Sequence, residues 1–489
     1  MDRQIKRLAL AMAVLFAVLF AQLNWIQVFA ASRISNNPAN FRLIIEEYKV
    51  QRGEILARDL RTVLARSVPT RGQLKFLRRY PDGASYGHIT GFYSLIYGRS
   101  DLEASENDWL GAHAPQLAFS TLADEIANRP KQGASVVTTI DPKIQQAAEA
   151  GLNGRAGAVA VVNPRTGEVL ALAANPTYDP NPLSSHDPAQ IKQAWKALNA
   201  DPSKPLLSNA TEQLYPPGST MKLITASAAL QNGYTPQSRF PNPPALKLPQ
   251  TTHLFHNFAD SHCPGGSTIS LADALTVSCD VTFAELGLKL GAQKLSAQAE
   301  AYGFNQHIPF ETPFAEGRFP PASYFPERLP FLAYSAVGQA DVAANPLQMA
   351  LVASAIANHG LEMEPHLVKE IRAPGGGVIE TVRPKVFSRP ISAQTAATMT
   401  TLMESVVQSG TGTAAQIPGV PVAGKTGTAQ SPTGIPTVWF VAFAPATNPQ
   451  VAVAVMLLNG GGAGAGATGG TVAAPVAKQV IQTALGSHG

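Results

Sequence analysis

The chain opens with a net-basic stretch, Met1-Asp2-Arg3-Gln4-Ile5-Lys6-Arg7, that runs straight into apolar residues over 8–21. The apolar character continues with polar interruptions through Trp25, Ile26, Val28 and Phe29. About 20 mostly apolar residues span the hydrocarbon of a bilayer, and flanking basic residues stay in the cytoplasm. The pattern therefore predicts a short cytoplasmic tail and a single-pass membrane anchor over residues 1–31, with the bulk of the chain extracytoplasmic. Trp25 suits the interfacial end of such a helix. The competing expectation is a cleaved export signal, because the uninterrupted apolar run is short and Val28-Phe29-Ala30 ends in a small residue that a signal peptidase accepts.

Beyond the anchor, short apolar runs alternate with Gly, Pro and Arg as far as residue 130, without any catalytic constellation. A β-branched run, Val136-Val137-Thr138-Thr139-Ile140, then ends in a cap-like Asp141-Pro142 and enters a helical pattern through Ala150. This places a boundary near residue 140, giving a first exported domain over 32–140 and a second over 141–489. The second begins with Ala158-Val159-Ala160-Val161-Val162, a turn at Asn163-Pro164-Arg165-Thr166-Gly167, and Glu168-Val169-Leu170-Ala171-Leu172, which together predict a β-hairpin. Residues 438–444 and 451–458 read as adjacent antiparallel strands near the other end. A glycine tract over 460–470 reads as a loop, and a helix over 472–485 follows it, with Pro475 in its first turn and Gly486 as its stop. Helical pattern fills the middle, roughly 215–410. An antiparallel sheet built from both ends of the domain with a helical insert between them makes the fold class α+β.

Composition narrows the function classes. A chain of 489 residues is too long for one typical core. The formal net charge of +4 is spread without long Lys/Arg blocks, so there is no basic stripe for nucleic acid. Hydrophobic residues at 45% against charged ones at 14%, with 40 Gly and 39 Pro, describe an ordered, loop-rich protein.

The chemistry lies in three short strings. Tyr215-Pro216-Pro217-Gly218-Ser219-Thr220-Met221-Lys222 leads into an apolar helix that stops at Asn232-Gly233, so Ser219 stands at a helix start. Three residues along a helix share a face, which brings Lys222 within reach of the Ser219 hydroxyl, and a desolvated amine there can accept its proton. Ser278-Cys279-Asp280 falls between a helix led by Ser270 and another over 281–291. Lys425-Thr426-Gly427-Thr428 lies just ahead of the late strands, where a strand edge offers a cation and hydroxyls to a carboxylate, with Gly427 allowing a substrate backbone to approach. Each string alone is weak evidence, and their order is the specific signal. The two cysteines, Cys263 and Cys279, admit three readings: a disulfide in an oxidising compartment, two separate buried thiols, or a zinc site with His253, His256 and His262, which lack a known spacing signature.

Ser-x-x-Lys, Ser-x-Asn or its variant, and Lys-Thr-Gly in that order resemble the signature of penicillin-binding proteins and related β-lactamases. The stretches 52–59, 157–181, 215–222, 335–349 and 424–430 and the Gly-rich tail look like class B transpeptidases, and most resemble the actinobacterial penicillin-binding protein A group. The resemblance implies a transpeptidase-like domain with a five-stranded antiparallel sheet and an all-helical subdomain, preceded by a pedestal or dimerisation-type domain. It implies a D,D-transpeptidase that joins peptidoglycan stem peptides on glycan strands derived from lipid II, and that β-lactams acylate. Ser219 would be the nucleophile, Lys222 its base, Ser278 the proton relay to the leaving amine, and Lys425 and Thr426 the holders of the terminal carboxylate. Backbone N–H groups of Ser219 and Thr428 would form the oxyanion hole. No metal or cofactor is implied.

Asp280 departs from the commoner Asn, although some class B relatives of the elongation type carry Asp here; an ionised Asp only accepts hydrogen bonds and favours the ammonium form of Lys222, so its expected role is to orient that amine. No glycosyltransferase pattern precedes the pedestal, which points to a separate multi-pass glycan polymerase of the shape or division type as partner. The alternatives are a carboxypeptidase or β-lactamase-type hydrolase and a non-turnover β-lactam sensor. The Glu-x-x-Leu-Asn string that class A β-lactamases carry downstream of their nucleophile occurs here only at Glu149 to Asn153, upstream of Ser219, and reads as coincidence.

Overall fold

The computed structural model describes residues 2–25, 45–118, 122, 125–127, 130–258, 262–431 and 433–487. It begins with the helix Asp2–Asn24, of which Arg3–Asn24 is long and apolar enough to cross a membrane. Val28-Phe29-Ala30 and the expected domain start at residue 32 lie outside the described residues.

One sheet has five antiparallel strands in the order Ala423–Ala429, Thr437–Ala444, Val451–Leu457, Gly157–Val162, Val169–Asn175. The hairpin and the late strands expected from the sequence are thus neighbours in one sheet, joined through Val451–Leu457 and Gly157–Val162. Runs such as Ala158-Val159-Ala160-Val161-Val162 lack polar alternation because both faces of the strand are covered. Successive side chains still point to opposite faces. Val438, Phe440 and Ala442 share a core with Ile144, Val480 and Ile481 from the helices Pro142–Leu152 and Ala474–Ser487. Trp439, Val441 and Phe443 belong to the core on the other face, which contains the helix Pro346–Ala357. That helix is apolar around its whole circumference and correspondingly buried throughout. The α+β architecture expected from the sequence is what the chain adopts.

A second sheet has six strands in the order Val378–Thr381, Val368–Arg372, Ser135–Thr138, Ile55–Leu56, Val63–Pro69, Phe76–Arg79. Ser135–Thr138 pairs in parallel with Ile55–Leu56 and antiparallel with Val368–Arg372. The sheet therefore draws on chain from both sides of residue 140. Its edge strand Phe76–Arg79 is tied to the chain ahead of Ile55–Leu56 by Glu103, which is fully buried and accepts from Arg52 Nε and Arg78 Nε at 2.5 Å each. Burial pushes the Glu103 carboxyl upward, but Arg78 and Arg52 outweigh it and hold it below the usual carboxylate range.

Two local expectations differ from the structure. The last helix runs through Gly486 to Ser487 instead of stopping there; Gly486 is exposed and meets nothing, so it costs the final turn little beyond its own backbone entropy. The insert is not helical throughout. Over 239–270 it forms two short antiparallel pairs, Arg239–Pro241 with Thr268–Ser270 and Ala245–Lys247 with Leu254–His256. Pro241, Pro243, Pro244 and Pro249 bar a helix there.

Candidate functional site

Ser219 sits in the tight turn Gly218–Met221, which continues into the helix Lys222–Gln231. Three elements clamp that turn. Gly218 has φ of 52°, and a Cβ on it would lie 2.9 Å from the Thr428 carbonyl, so the turn can press on the strand Ala423–Ala429 only with glycine at this position. The Gly218 N–H donates to Gly338 O at 2.9 Å. The indole N–H of the fully buried Trp439 donates to Pro216 O at 3.0 Å. Gly427 is part of the same contact: a Cβ there would stand 2.9 Å from Pro217 O and from Thr220 Cγ2. The expectation that Gly427 makes room for a substrate backbone is thereby corrected, since the space is taken by the Ser219 turn.

The Ser278-Cys279-Asp280 string follows the helix Leu271–Thr276, whose N-cap Ser270 accepts from the Asp273 N–H at 3.0 Å. Ser278 lies in the left-handed region with φ of 62°, a conformation that costs a non-glycine residue about 1–3 kcal/mol. Its hydroxyl oxygen receives Lys425 Nζ at 2.8 Å and Lys222 Nζ at 3.3 Å, so it bridges the two amines. Lys222 Nζ also donates to Ser278 O and to Asp280 Oδ1, both at 2.7 Å. The Ser219 hydroxyl donates to the same Asp280 Oδ1 at 3.4 Å. Hydroxyl and amine, expected to meet one helical turn apart, meet here on a shared carboxylate oxygen.

Both amines are fully buried. Burial pushes Lys222 below its ordinary range, and the charge and hydrogen bond of Asp280 pull it back. Lys425 is pushed well below its ordinary range, first by burial and then by the charge of Lys222, with Asp280 opposing. Lys425 does not present its amine to the open cleft as expected from the sequence: Nζ donates to Ser278 Oγ and, at 2.9 Å, to Thr426 O. The neighbouring hydroxyl residues Thr426 and Thr428 do line the cleft, together with Ser219, Ser278 and Asp280. The cavity has a volume of about 780 Å³.

Several further parts of the cleft were not assigned to it from the sequence. Thr411 shares a hydrogen bond of 2.6 Å with Thr426. The glycine tract folds against the edge strand, where a Cβ on Gly469 would lie 2.6 Å from Gly427 O, and its Thr468 and Gly470 line the cleft. His253, His256 and His262 border it on another side. Cys263 and Cys279 form a disulfide with Cα atoms 5.8 Å apart. Among the described residues no group of three or more His, Cys, Asp or Glu is placed to hold a metal ion. Glu149 is elsewhere, accepting from Ser85 Oγ and Gln145 Nε2 at 3.0 Å.

A hydroxyl at a helix start, a buried amine on the same helix, and a second serine linking it to a lysine on a sheet edge define a serine acyltransferase of the Ser-x-x-Lys type. Residues 157–482 match the penicillin binding protein transpeptidase domain family, and residues 52–136 match the penicillin binding protein A dimerisation domain. The chain belongs to the penicillin-binding transpeptidase family, within its class B penicillin-binding protein A group. It is 41% identical to the peptidoglycan D,D-transpeptidase PbpA of Mycolicibacterium smegmatis, over 99% of both chains. It is 39% identical to PbpA of Mycobacterium tuberculosis, again over 99% of both. The ceftriaxone acyl-enzyme complex of penicillin-binding protein A from M. tuberculosis superposes with a TM-score of 0.85, covering 90% of this chain and all of that one at 39% identity.

Proposed function

We propose that the protein is a peptidoglycan D,D-transpeptidase that works through an acyl-enzyme on Ser219. The observation that carries the reading is the continuous contact from Ser219 Oγ through Asp280 Oδ1 and Lys222 Nζ to Ser278 Oγ and Lys425 Nζ, opening on one cleft. The Ser219 oxygen attacks the carbonyl between the two terminal D-alanines of a stem peptide. Its proton passes to Lys222, which must first have lost one of its own; burial favours that loss and Asp280 resists it. As the C–N bond breaks, Ser278 delivers a proton to the departing D-alanine amine and is replenished from Lys222, which holds the proton taken from Ser219. The amine of a neighbouring stem peptide then attacks the ester, restoring the Ser219 hydroxyl and leaving a new amide. Backbone N–H groups of Ser219 and Thr428 would receive the developing oxyanion, a contribution of about 3 kcal/mol per donor. Thr426 and Thr428 would take the terminal carboxylate, with Lys425 beneath them supplying positive potential through Ser278.

The N-terminal helix would retain the protein in the membrane as a single-pass anchor, with residues beyond it extracytoplasmic. Residues 32–140 would serve as a pedestal for the catalytic domain over 141–489, stiffened by the strands 368–381 that join its sheet. Glycan strands would come from a separate multi-pass polymerase. β-Lactams, which carry a strained amide and a carboxylate, would acylate Ser219 in place of the stem peptide. Incubating the protein with a stem-pentapeptide donor and an amine acceptor tests the reading. Cross-linked product with release of one D-alanine per link is the expected outcome. Hydrolysed tetrapeptide alone would make the enzyme a carboxypeptidase, and a stable adduct without turnover would make it a sensor.

A further inference from the structure

The carboxylate of Asp280 is engaged on both sides. Its Oδ1 receives Lys222 Nζ at 2.7 Å and the Ser219 hydroxyl at 3.4 Å, while its Oδ2 receives the backbone N–H of Phe258 at 3.0 Å. Phe258 belongs to a segment bordering the cleft, together with Phe255, His256 and Asn257. The same segment is tied to the Ser278-Cys279-Asp280 turn at two further points. Asn257 Oδ1 accepts from the Val281 N–H at 3.0 Å, and Cys263 is bonded to Cys279.

Three donors converging on one side chain set a chemical requirement. A carboxylate accepts at both oxygens, whereas an asparagine amide has one acceptor and one NH₂ donor. If an asparagine in place of Asp280 kept its oxygen toward Lys222 and Ser219, its NH₂ would face the Phe258 N–H, donor against donor. If it turned its oxygen to Phe258, the NH₂ would face the Lys222 ammonium. While Lys222 is charged neither orientation satisfies all three groups, and the site is sheltered enough that an unmade hydrogen bond is costly.

We propose that Asp280 is a positioning residue that couples the cleft-bordering segment at Phe258 to the catalytic amine, and that the Phe258 N–H is the reason this chain carries Asp at that position. The segment contacting bound substrate is then mechanically continuous with the groups that activate Ser219. A substrate that displaces Phe258 shifts the carboxylate holding Lys222, so the segment takes part in substrate discrimination as well as enclosure. This rests on the reading of Ser219 as the acylated residue.

The test compares acylation by a fluorescent penicillin, its pH profile and amide hydrogen exchange in wild type, Asp280→Asn, Phe258→Pro and the double variant. Proline at 258 has no N–H and so removes the conflicting donor. In the wild-type background Asp280→Asn slows acylation by about five- to fiftyfold, the loss expected for one or two unmade buried hydrogen bonds. It also speeds exchange of the Phe258 amide, and moves the acid limb of the profile down by about 1 to 3 pH units as Lys222 loses its counter-charge. In the Phe258→Pro background the same replacement costs less than about twofold, because the two sites are coupled. Equal costs in both backgrounds, or a Phe258 amide whose exchange Asp280→Asn leaves unchanged, would overturn the proposal even if Phe258→Pro folds poorly, since the exchange measurement needs only the single variant. A wild type that takes no label on Ser219 would instead sink the reading of the site on which the proposal stands.

Discussion

Replacing Gly427 by Ala adds a single methyl group at the contact between the edge strand and the Ser219 turn. That carbon would stand 2.9 Å from Pro217 O, 2.9 Å from Thr220 Cγ2 and 3.0 Å from Trp439 Cβ. Comfortable carbon contacts begin at roughly 3.5 Å, so the turn and the strand must part by about 0.5 Å. Pro217 O is backbone and Trp439 is fully buried, which leaves no flexible side chain to absorb the change. Overpacking of this kind costs about 1–3 kcal/mol, or a fall in Tm of roughly 2–10 °C for a domain of this size. A displacement of 1 Å at reacting groups costs about a hundredfold in rate, so half that displacement lowers the acylation rate about tenfold. Stopped-flow acylation with a fluorescent penicillin separates the rate of bond formation from affinity, and calorimetry reports Tm. The clamp predicts a lower acylation rate, nearly unchanged affinity and a lower Tm. Weakened affinity with wild-type Tm would refute this reasoning and restore the view that Gly427 makes room for substrate.

Two further expectations concern stability. Glu362 is fully buried, and burial raises its carboxyl to about 8, with a hydrogen bond from Ser388 opposing. Because the folded value lies above the ordinary 4.5, its favourable contribution is complete below that pH and is lost as the pH climbs to about 8. Glu362→Gln, which stays neutral, should therefore raise Tm at pH 8 relative to wild type and change it little near pH 4.5, with a difference on the order of 4 kcal/mol; a Tm difference that does not vary with pH would contradict this. The Cys263–Cys279 disulfide spans a sequence separation of 16, and closing a loop of that length contributes about 3 kcal/mol. Replacing both cysteines by Ser should lower Tm by several degrees in calorimetry, whereas an unchanged Tm would show that the bridge constrains little.

Much of the fold was legible because its core strands are unusually uniform. Gly157–Val162 and Val451–Leu457 are short, small-residue and β-branched runs bounded by turn residues, and such runs leave few alternatives to a strand buried on both faces. Their assembly into one sheet was inferred from the rule that both ends of the domain must share a layer. The return of residues 368–381 to the first sheet was not legible, since long-range pairing leaves no local trace in composition. At the site, Ser219, Lys222, Ser278, Asp280, Lys425 and Thr426 were named from spacing and order, and the structure brings them together. Distances were beyond reach of the motif. The sharing of Asp280 Oδ1 by Ser219 and Lys222 depends on the left-handed turn at Ser278 and on the tie to Phe258. Trp439 and Gly338, which hold the Ser219 turn, lie outside the three catalytic strings because their roles are a single indole N–H and a single carbonyl presented from distant parts of the chain.

The most direct test is to expose the protein to a penicillin, digest it, and locate the added mass by tandem mass spectrometry, alongside the Ser219→Ala and Lys222→Ala variants. The expected result is one adduct per chain on Ser219, absent from Ser219→Ala and strongly retarded in Lys222→Ala. An adduct that persists at wild-type rate in Ser219→Ala, or that maps to a peptide without Ser219, would contradict the account.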